Sequence, residues 1–179
     1  MVDNLRLLFG TPILQTSLAV QHRILEFVKS QKFEHHGNGY FTYEYILESP
    51  EMQSVKNYIT QKVKEYLYGD CGISEQIIPE LVTSWVNLHK KGDWSHQHSH
   101  YNSVVSGVWY LSTTPESGEF LIHPDNKLFG NLLDLPKRVY NEFNVDQYAF
   151  LPKNGDMLIF PSTMKHSVRV NNCDNERLS

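Results

Sequence analysis

The apolar positions of this chain change rhythm near its midpoint. In the first half they recur at helical spacing. Val20, Ile24, Phe27 and Val28 mark one amphipathic stretch, which predicts a helix from Ala19 to about Lys32. A second stripe runs through Met52, Val55, Ile59, Val63, Tyr66 and Leu67. Ser49-Pro50 opens it as a cap followed by proline at the first helical position, and Gly69 stops it. Ahead of both, the residues from Leu5 to Leu18 carry short apolar bursts broken by Gly10 and Pro12, the pattern of an edge strand. Between the helices, Gly37 and Gly39 predict a loop, and the alternating Phe41, Tyr43 and Tyr45 predict a strand.

From about Leu81 onward, short apolar runs and alternations take over. They predict strands near 81–90, 103–113, 118–123, 147–151, 156–160, 166–170 and 176–179. Pro124 to Asp146 interrupts the series. It is long for a hairpin connection and mixes Phe129, Leu132, Leu133 and Phe143 with Lys127, Lys137 and Arg138. Long connections in compact domains are usually functional or disordered, so this one is read as a lid or a substrate-contacting insertion, with a plain surface excursion as the alternative.

Composition narrows the class without naming a chemistry. A chain of 179 residues with 40% hydrophobic and 20% charged residues is expected to form one domain with its own core. Residues 1–80 would support a β-rich core over 81–179. The net charge of −4 offers no basic face for nucleic acid. The two cysteines, Cys71 and Cys173, have no paired spacing, which argues against a disulfide framework and suits a reducing cytoplasm. The opening MVDNLRLLFG does not look like a secretion signal, and no run approaches the length of a membrane span. There are no internal repeats, and the oligomeric state is left open.

Candidate chemistry concentrates in Gly92–Tyr110, GDWSHQHSHYNSVVSGVWY. In an extended strand, residues two apart point to one face, so His96, His98 and His100 would project together. Any adjacent pair of them supplies two neighbouring imidazole ligands, and spacing alone admits either pair. A third ligand is expected from His166, where FPSTMKHSVRV reads as a turn leading into a strand. Asp93 is an alternative carboxylate ligand, whereas His35 and His36 read as a solvated loop. Near the end of the sequence, Arg177 and Ser179 would share a strand face, a guanidinium fork and a hydroxyl suited to a carboxylate. Taken singly, these pieces have plainer readings, a polar His-rich turn and a surface arginine paired with Glu176. Taken together, a metal site and a carboxylate clamp suggest a keto-acid cosubstrate. Many short strands bearing a metal site point to an α+β, mainly β fold, a double-stranded β-helix or cupin-like jelly roll with N-terminal buttressing helices.

The order of these features resembles that of the iron(II)- and 2-oxoglutarate-dependent oxygenases. More closely, WVNLHKKGDWSHQHSHYNSVVSGVWYL with the later GDMLIFPSTMKHSV and ERLS resembles a family of small oxygenases of this kind, known mostly from marine bacteria and their phages. The likeness runs from Trp85 to Ser179. It implies H-x-H ligands at His98 and His100, followed by Ser103, Ser106, Gly107 and Tyr110, with His166 as the third ligand. It also implies Fe(II), with 2-oxoglutarate held by Arg177 and Ser179, by a hydrogen bond from Tyr110 and by Asn87. His100 stands where the wider superfamily carries a carboxylate. The implied activity is hydroxylation of a small molecule or peptide by dioxygen, with prolyl residues or a free amino acid as the favoured substrate. A three-histidine cupin-type enzyme without a keto acid and a non-catalytic jelly-roll binding module are the competing classes. Trp85 and Trp109 are expected to serve core packing.

Overall fold

The computed structural model describes residues 10–43, 45–125 and 135–179. Among them, β1 (Leu14–Ser17) and α1 (His22–Lys29) lead into a hairpin of β2 (Glu34–His36) and β3 (Gly39–Phe41). Then comes α2 (Gln53–Lys64), which loosens into a π-helical turn at Glu65–Asp70. The remaining strands are β4 (Asn87–His89), β5 (Ser95–His98), β6 (Val105–Trp109), β7 (Phe120–His123), β8 (Tyr148–Phe150), β9 (Asp156–Pro161), β10 (Lys165–Val168) and β11 (Arg177–Leu178).

These strands pair antiparallel throughout, in the orders β1-β9-β6, β11-β4-β3-β2 and β5-β10-β7-β8. The first two sets join into one layer. Leu111 N–H donates to the Leu178 carbonyl and Leu178 N–H donates to that of Ser112, both at 2.9 Å. The third set packs across from this layer. Alternation along β6 and β9 explains how one sheet serves two cores. Trp109, Leu111, Met157 and Ile159 turn outward and pack with Leu88 and Leu178 against Ile24 and Val28 of α1 and Val55 of α2. Val108, Tyr110, Leu158 and Phe160 turn inward onto Phe120, Phe150 and Val168 of the facing sheet. Each fully buried aliphatic or aromatic side chain contributes about 1.5–3 kcal/mol, so both cores hold the layers in place. The fold is the double-stranded β-helix expected from the strand pattern, with the helices buttressing its outer face.

Several boundaries differ from the pattern-based expectations. The strand predicted at 81–90 shortens to Asn87–His89, because Ser84 is occupied elsewhere: its carbonyl accepts from Ile46 N–H at 3.1 Å and its hydroxyl from Leu47 N–H at 3.0 Å. The strand predicted through Tyr45 stops at Phe41, and Tyr45 adopts a left-handed φ of 75° that no strand permits. The start of the first predicted strand, and Lys127, Phe129, Leu132 and Leu133 of the expected lid, lie outside the described residues. The rest of that insertion, 135–146, is irregular and exposes Leu135, Val139, Tyr140 and Phe143. No helix among the described residues is long and apolar enough to cross a membrane.

Candidate metal centre

The site begins with an irregular pairing. His98 of β5 faces His166 of β10, and Ser95 faces Val168, with one residue between the partners on β10 and two on β5. This is a β-bulge, which interrupts the two-residue alternation. Ser95 and His98 both face the interior although they lie three apart. His96 is left exposed, on the rim of an outer-face cleft of about 500 Å³ that also takes in Trp94 and Arg169. The strand ends at His98, and His100 is held by a separate device. Its N–H donates to the Ser162 carbonyl at 2.8 Å, and the Ser162 hydroxyl lies 2.9 Å from that of Ser103 and 2.7 Å from that of Ser106. The outcome is convergence: one ring nitrogen each of His98, His100 and His166 lies within 4.8 Å of the others.

The local hydrogen bonds also set which nitrogen is free. The Nδ1 of His98 lies 2.8 Å from the His96 carbonyl and that of His166 lies 2.9 Å from the Met164 carbonyl. A carbonyl only accepts, so both protons sit on Nδ1 and both Nε2 atoms keep a lone pair for a metal. His166 is enclosed, stacked on Phe120 at 5.3 Å and edge-on to Phe160 at 5.2 Å. Burial pushes its pKa down to about 4. The neighbouring imidazoles act the same way, and the bond to Met164 opposes them. His100 is lowered too, by burial first and then by His98. Neutral imidazoles suit a borderline transition metal such as iron. Among the described residues no carboxylate joins the cluster. Asp93 is occupied in the β4–β5 turn, where its Oδ2 accepts from Lys90 N–H at 2.9 Å.

The ligand row continues across the sheet. His98 pairs with His166, His166 with Ile122 and Ile122 with Tyr148, so these four side chains share the inner face. Tyr148, on the edge strand, is 53% exposed, which places a phenol at the open end of that row.

A second cluster lies deeper between the layers. Arg177 is 1% exposed; one Nη donates to the Gly118 carbonyl at 3.3 Å and the guanidinium carbon lies 5.1 Å from the centre of the Tyr110 ring. Its Nε and the Tyr110 hydroxyl are both buried without a hydrogen-bond partner. No ion pair engages Arg177 among the described residues. Burial lowers the arginine's pKa and raises that of the tyrosine. A buried charge without a counter-charge costs several kcal/mol, which an anion beside it would offset. Ser179 and Asn87 exchange backbone hydrogen bonds of 2.7 and 3.1 Å, which puts their side chains on the face shared by Arg177 and its register partner His89. Asn87 Oδ1 accepts from Trp85 Nε1 at 3.0 Å, and the Trp85 ring meets His100 at 5.8 Å. Trp85 therefore belongs to the site, unlike Trp109, which packs in the helix-facing core as expected. His89 is the other residue not anticipated; the two-residue rule that links Ser179 to Arg177 also links Asn87 to His89.

The two clusters therefore pair a metal-ligand set with an anion pocket, and the donor types and orphaned buried atoms fit iron and a dicarboxylate. No curated protein matches the chain in a sequence comparison. Solved structures of similar fold include an oxidoreductase of the 2OG-Fe(II) oxygenase family from Burkholderia pseudomallei, at 17% identity and a TM-score of 0.62 over 93% of this chain and 80% of that one. HygX from Streptomyces hygroscopicus, with nickel, 2-oxoglutarate and hygromycin B bound, has 15% identity and a TM-score of 0.64, covering 94% and 80%. A Pseudomonas putida prolyl-4-hydroxylase has 13% identity and a TM-score of 0.61, covering 94% and 89%. At such identities the likeness is one of fold. The family model described as "Putative 2OG-Fe(II) oxygenase" matches residues 83–179, more than half of the chain and all of both clusters. The chain belongs to the 2OG-Fe(II) oxygenase family, and it is a 2-oxoglutarate-dependent dioxygenase with Fe(II) as cofactor and 2-oxoglutarate as cosubstrate.

Proposed function

We propose that His98, His100 and His166 hold the iron, that Arg177, Tyr110, Ser179 and Asn87 hold 2-oxoglutarate, and that the reaction hydroxylates a small molecule or peptide. The observation that carries this reading is Arg177, a buried guanidinium that pairs with no carboxylate among the described residues, in the same fold as three convergent imidazoles. Bound iron and 2-oxoglutarate supply oxidative decarboxylation, in which dioxygen delivers one oxygen atom to succinate and the other to the substrate. The protein's part is binding and shielding. Arg177 pairs with the distal carboxylate, the Tyr110 hydroxyl donates to the same group, and the Ser179 hydroxyl and Asn87 amide stand on the same face of the sheet as Arg177. Phe120 and Phe160 keep water from the ring of His166.

The substrate side is the open end of the ligand row. Ile122 and Tyr148 lie there, and the connection 124–146 leaves next to the first and returns next to the second. This placement supports a substrate-contacting role for that insertion. A prolyl residue or a free amino acid is the favoured substrate; the prolyl-4-hydroxylase among the similar structures supports that class. The chain is read as one catalytic unit, residues 1–80 supporting 81–179, and a marine bacterial or phage source follows from the same resemblance. A cytoplasmic location fits the two free cysteines, Cys71 and Cys173.

Anaerobic titration of the iron-loaded protein with 2-oxoglutarate tests the reading. A charge-transfer band that saturates at one equivalent is expected, and aerobic succinate release should rise with a proline-containing peptide or free proline. Absence of the band, with no binding by calorimetry, overturns the ligand assignments. Replacement of Arg177 by Ala should abolish keto-acid binding and spare the metal.

A further inference from the structure

His89 lies beside Arg177 in the sheet, and three observations set it apart from an ordinary buried histidine. It is 2% exposed and is the register partner of Arg177 across β4 and β11, so its ring lies on the arginine's face of the sheet. Its Nε2 is engaged by the Ser95 hydroxyl at 3.1 Å, while its Nδ1 is buried with no partner. The ring also occupies space that another residue leaves free. A Cβ on Gly39 would stand 2.9 Å from its Cδ2 and 3.1 Å from its Nε2. An orphaned buried nitrogen costs stability and gives nothing back unless something binds it.

Its charge state points the same way. Burial, and then the Arg177 charge, push the His89 pKa down to about 4, so the ring is neutral at pH 7 and adds no second cation to the pocket. The Ser95 hydroxyl serves either tautomer, and a carboxylate acceptor near Nδ1 would select the one with the proton on Nδ1 and Nε2 accepting from Ser95. A carboxylate bound at Arg177 would supply the acceptor that such an N–H lacks.

We infer that His89 is a binding residue for the distal carboxylate of 2-oxoglutarate, donating from Nδ1 alongside Arg177 and Tyr110. The inference rests on the reading of Arg177 as the keto-acid anchor. Two ligands separate a direct contact from a structural role: 2-oxoglutarate, and 2-oxopentanoate, which has the same carbon chain without the distal carboxylate. Dissociation constants of both are measured on the iron-loaded protein under anaerobic conditions. His89→Gln places an amide near the Nε2 position and His89→Asn places one near Nδ1. His89→Gln should weaken 2-oxoglutarate about tenfold or more and change 2-oxopentanoate less than about twofold. His89→Asn should recover most of the loss. Equal weakening of both ligands, or unchanged 2-oxoglutarate affinity in His89→Gln, overturns the role of His89. Should Arg177→Met also leave 2-oxoglutarate affinity unchanged, the pocket itself is misassigned and the inference falls with it. If the variants do not fold, the wild-type protein loaded with Zn(II) decides by NMR. A slowly exchanging His89 Nδ1 proton should appear with 2-oxoglutarate and not with 2-oxopentanoate; its absence with both overturns the inference.

Discussion

His98 and His166 are register partners across β5 and β10, and their ring centroids stand 4.2 Å apart. Their Nδ1 atoms are tied to the carbonyls two residues back along the chain, so the pair is oriented by the backbone itself. Few side-chain adjustments are then needed when a metal enters, which lowers the ordering cost of binding.

Removing either partner should remove the metal. Loss of a group that merely orients a ligand costs about 10–100-fold in affinity, and loss of the ligand itself should exceed that range. His98→Ala and His166→Ala should therefore retain well under one equivalent of iron, as read by metal analysis after reconstitution and desalting. His96→Ala should bind iron like the wild type, because its ring lies outside the cluster. A wild-type iron content in His166→Ala would contradict the assignment.

Arg177 should trade stability against binding. Replacing a buried, unpaired guanidinium by a well-packed apolar side chain is often neutral or stabilising by about 1–4 kcal/mol. Arg177→Met should raise the unfolding midpoint of the ligand-free protein or leave it unchanged. In 2-oxoglutarate affinity the same substitution should lose on the order of 30-fold or more, since truncating a buried charged partner costs about 2–5 kcal/mol. Thermal melts with and without 2-oxoglutarate read both effects in one experiment.

The buried histidines predict an acid-sensitive fold. His89 and His166 take up protons near pH 4 in the folded protein, against the ordinary value of 6.5 in the unfolded chain. Between pH 6.5 and 4 the unfolded chain binds more protons, so metal-free stability falls as pH drops through that window and is level above it. Each pKa unit corresponds to about 1.4 kcal/mol, which makes the effect of one histidine up to about 3 kcal/mol. Urea midpoints at pH 7.5, 5.5 and 4.5 should descend in the wild type. The slope should be shallower in His89→Asn.

Gly118, in the connection between β6 and β7, holds Arg177 through its carbonyl. Its φ is +89°, and a Cβ there would run into the Arg169 carbonyl oxygen, a clash with backbone that no rotamer relieves. Gly118→Ala should destabilise the protein by about 2 kcal/mol or more. Because the Gly118 carbonyl receives the Arg177 Nη–H, the same variant should weaken 2-oxoglutarate binding, measurable by calorimetry at a temperature where it remains folded.

Local pattern was enough to determine the class of this protein. Helical spacing at Ile24 and Val28 and at Met52 and Val55 marks the buttress, and the β-rich second half with His98, His100, His166 and Arg177 points to a metal enzyme with an anionic cosubstrate. Strict alternation could not choose between His96 and His100, because both obey the same two-residue rule from His98. The family resemblance favours His98 with His100; in the structure the bulge opposite Ser167 turns His96 out, and a bulge is a property of pairing between strands about seventy residues apart, which one strand's sequence does not contain. For the same reason, the boundary of β4, the place of Trp85 beside His100 and the orphaned nitrogen of His89 became visible only in three dimensions. Periodicity assigns a side chain to a face, and only the packed layers decide what stands in front of it.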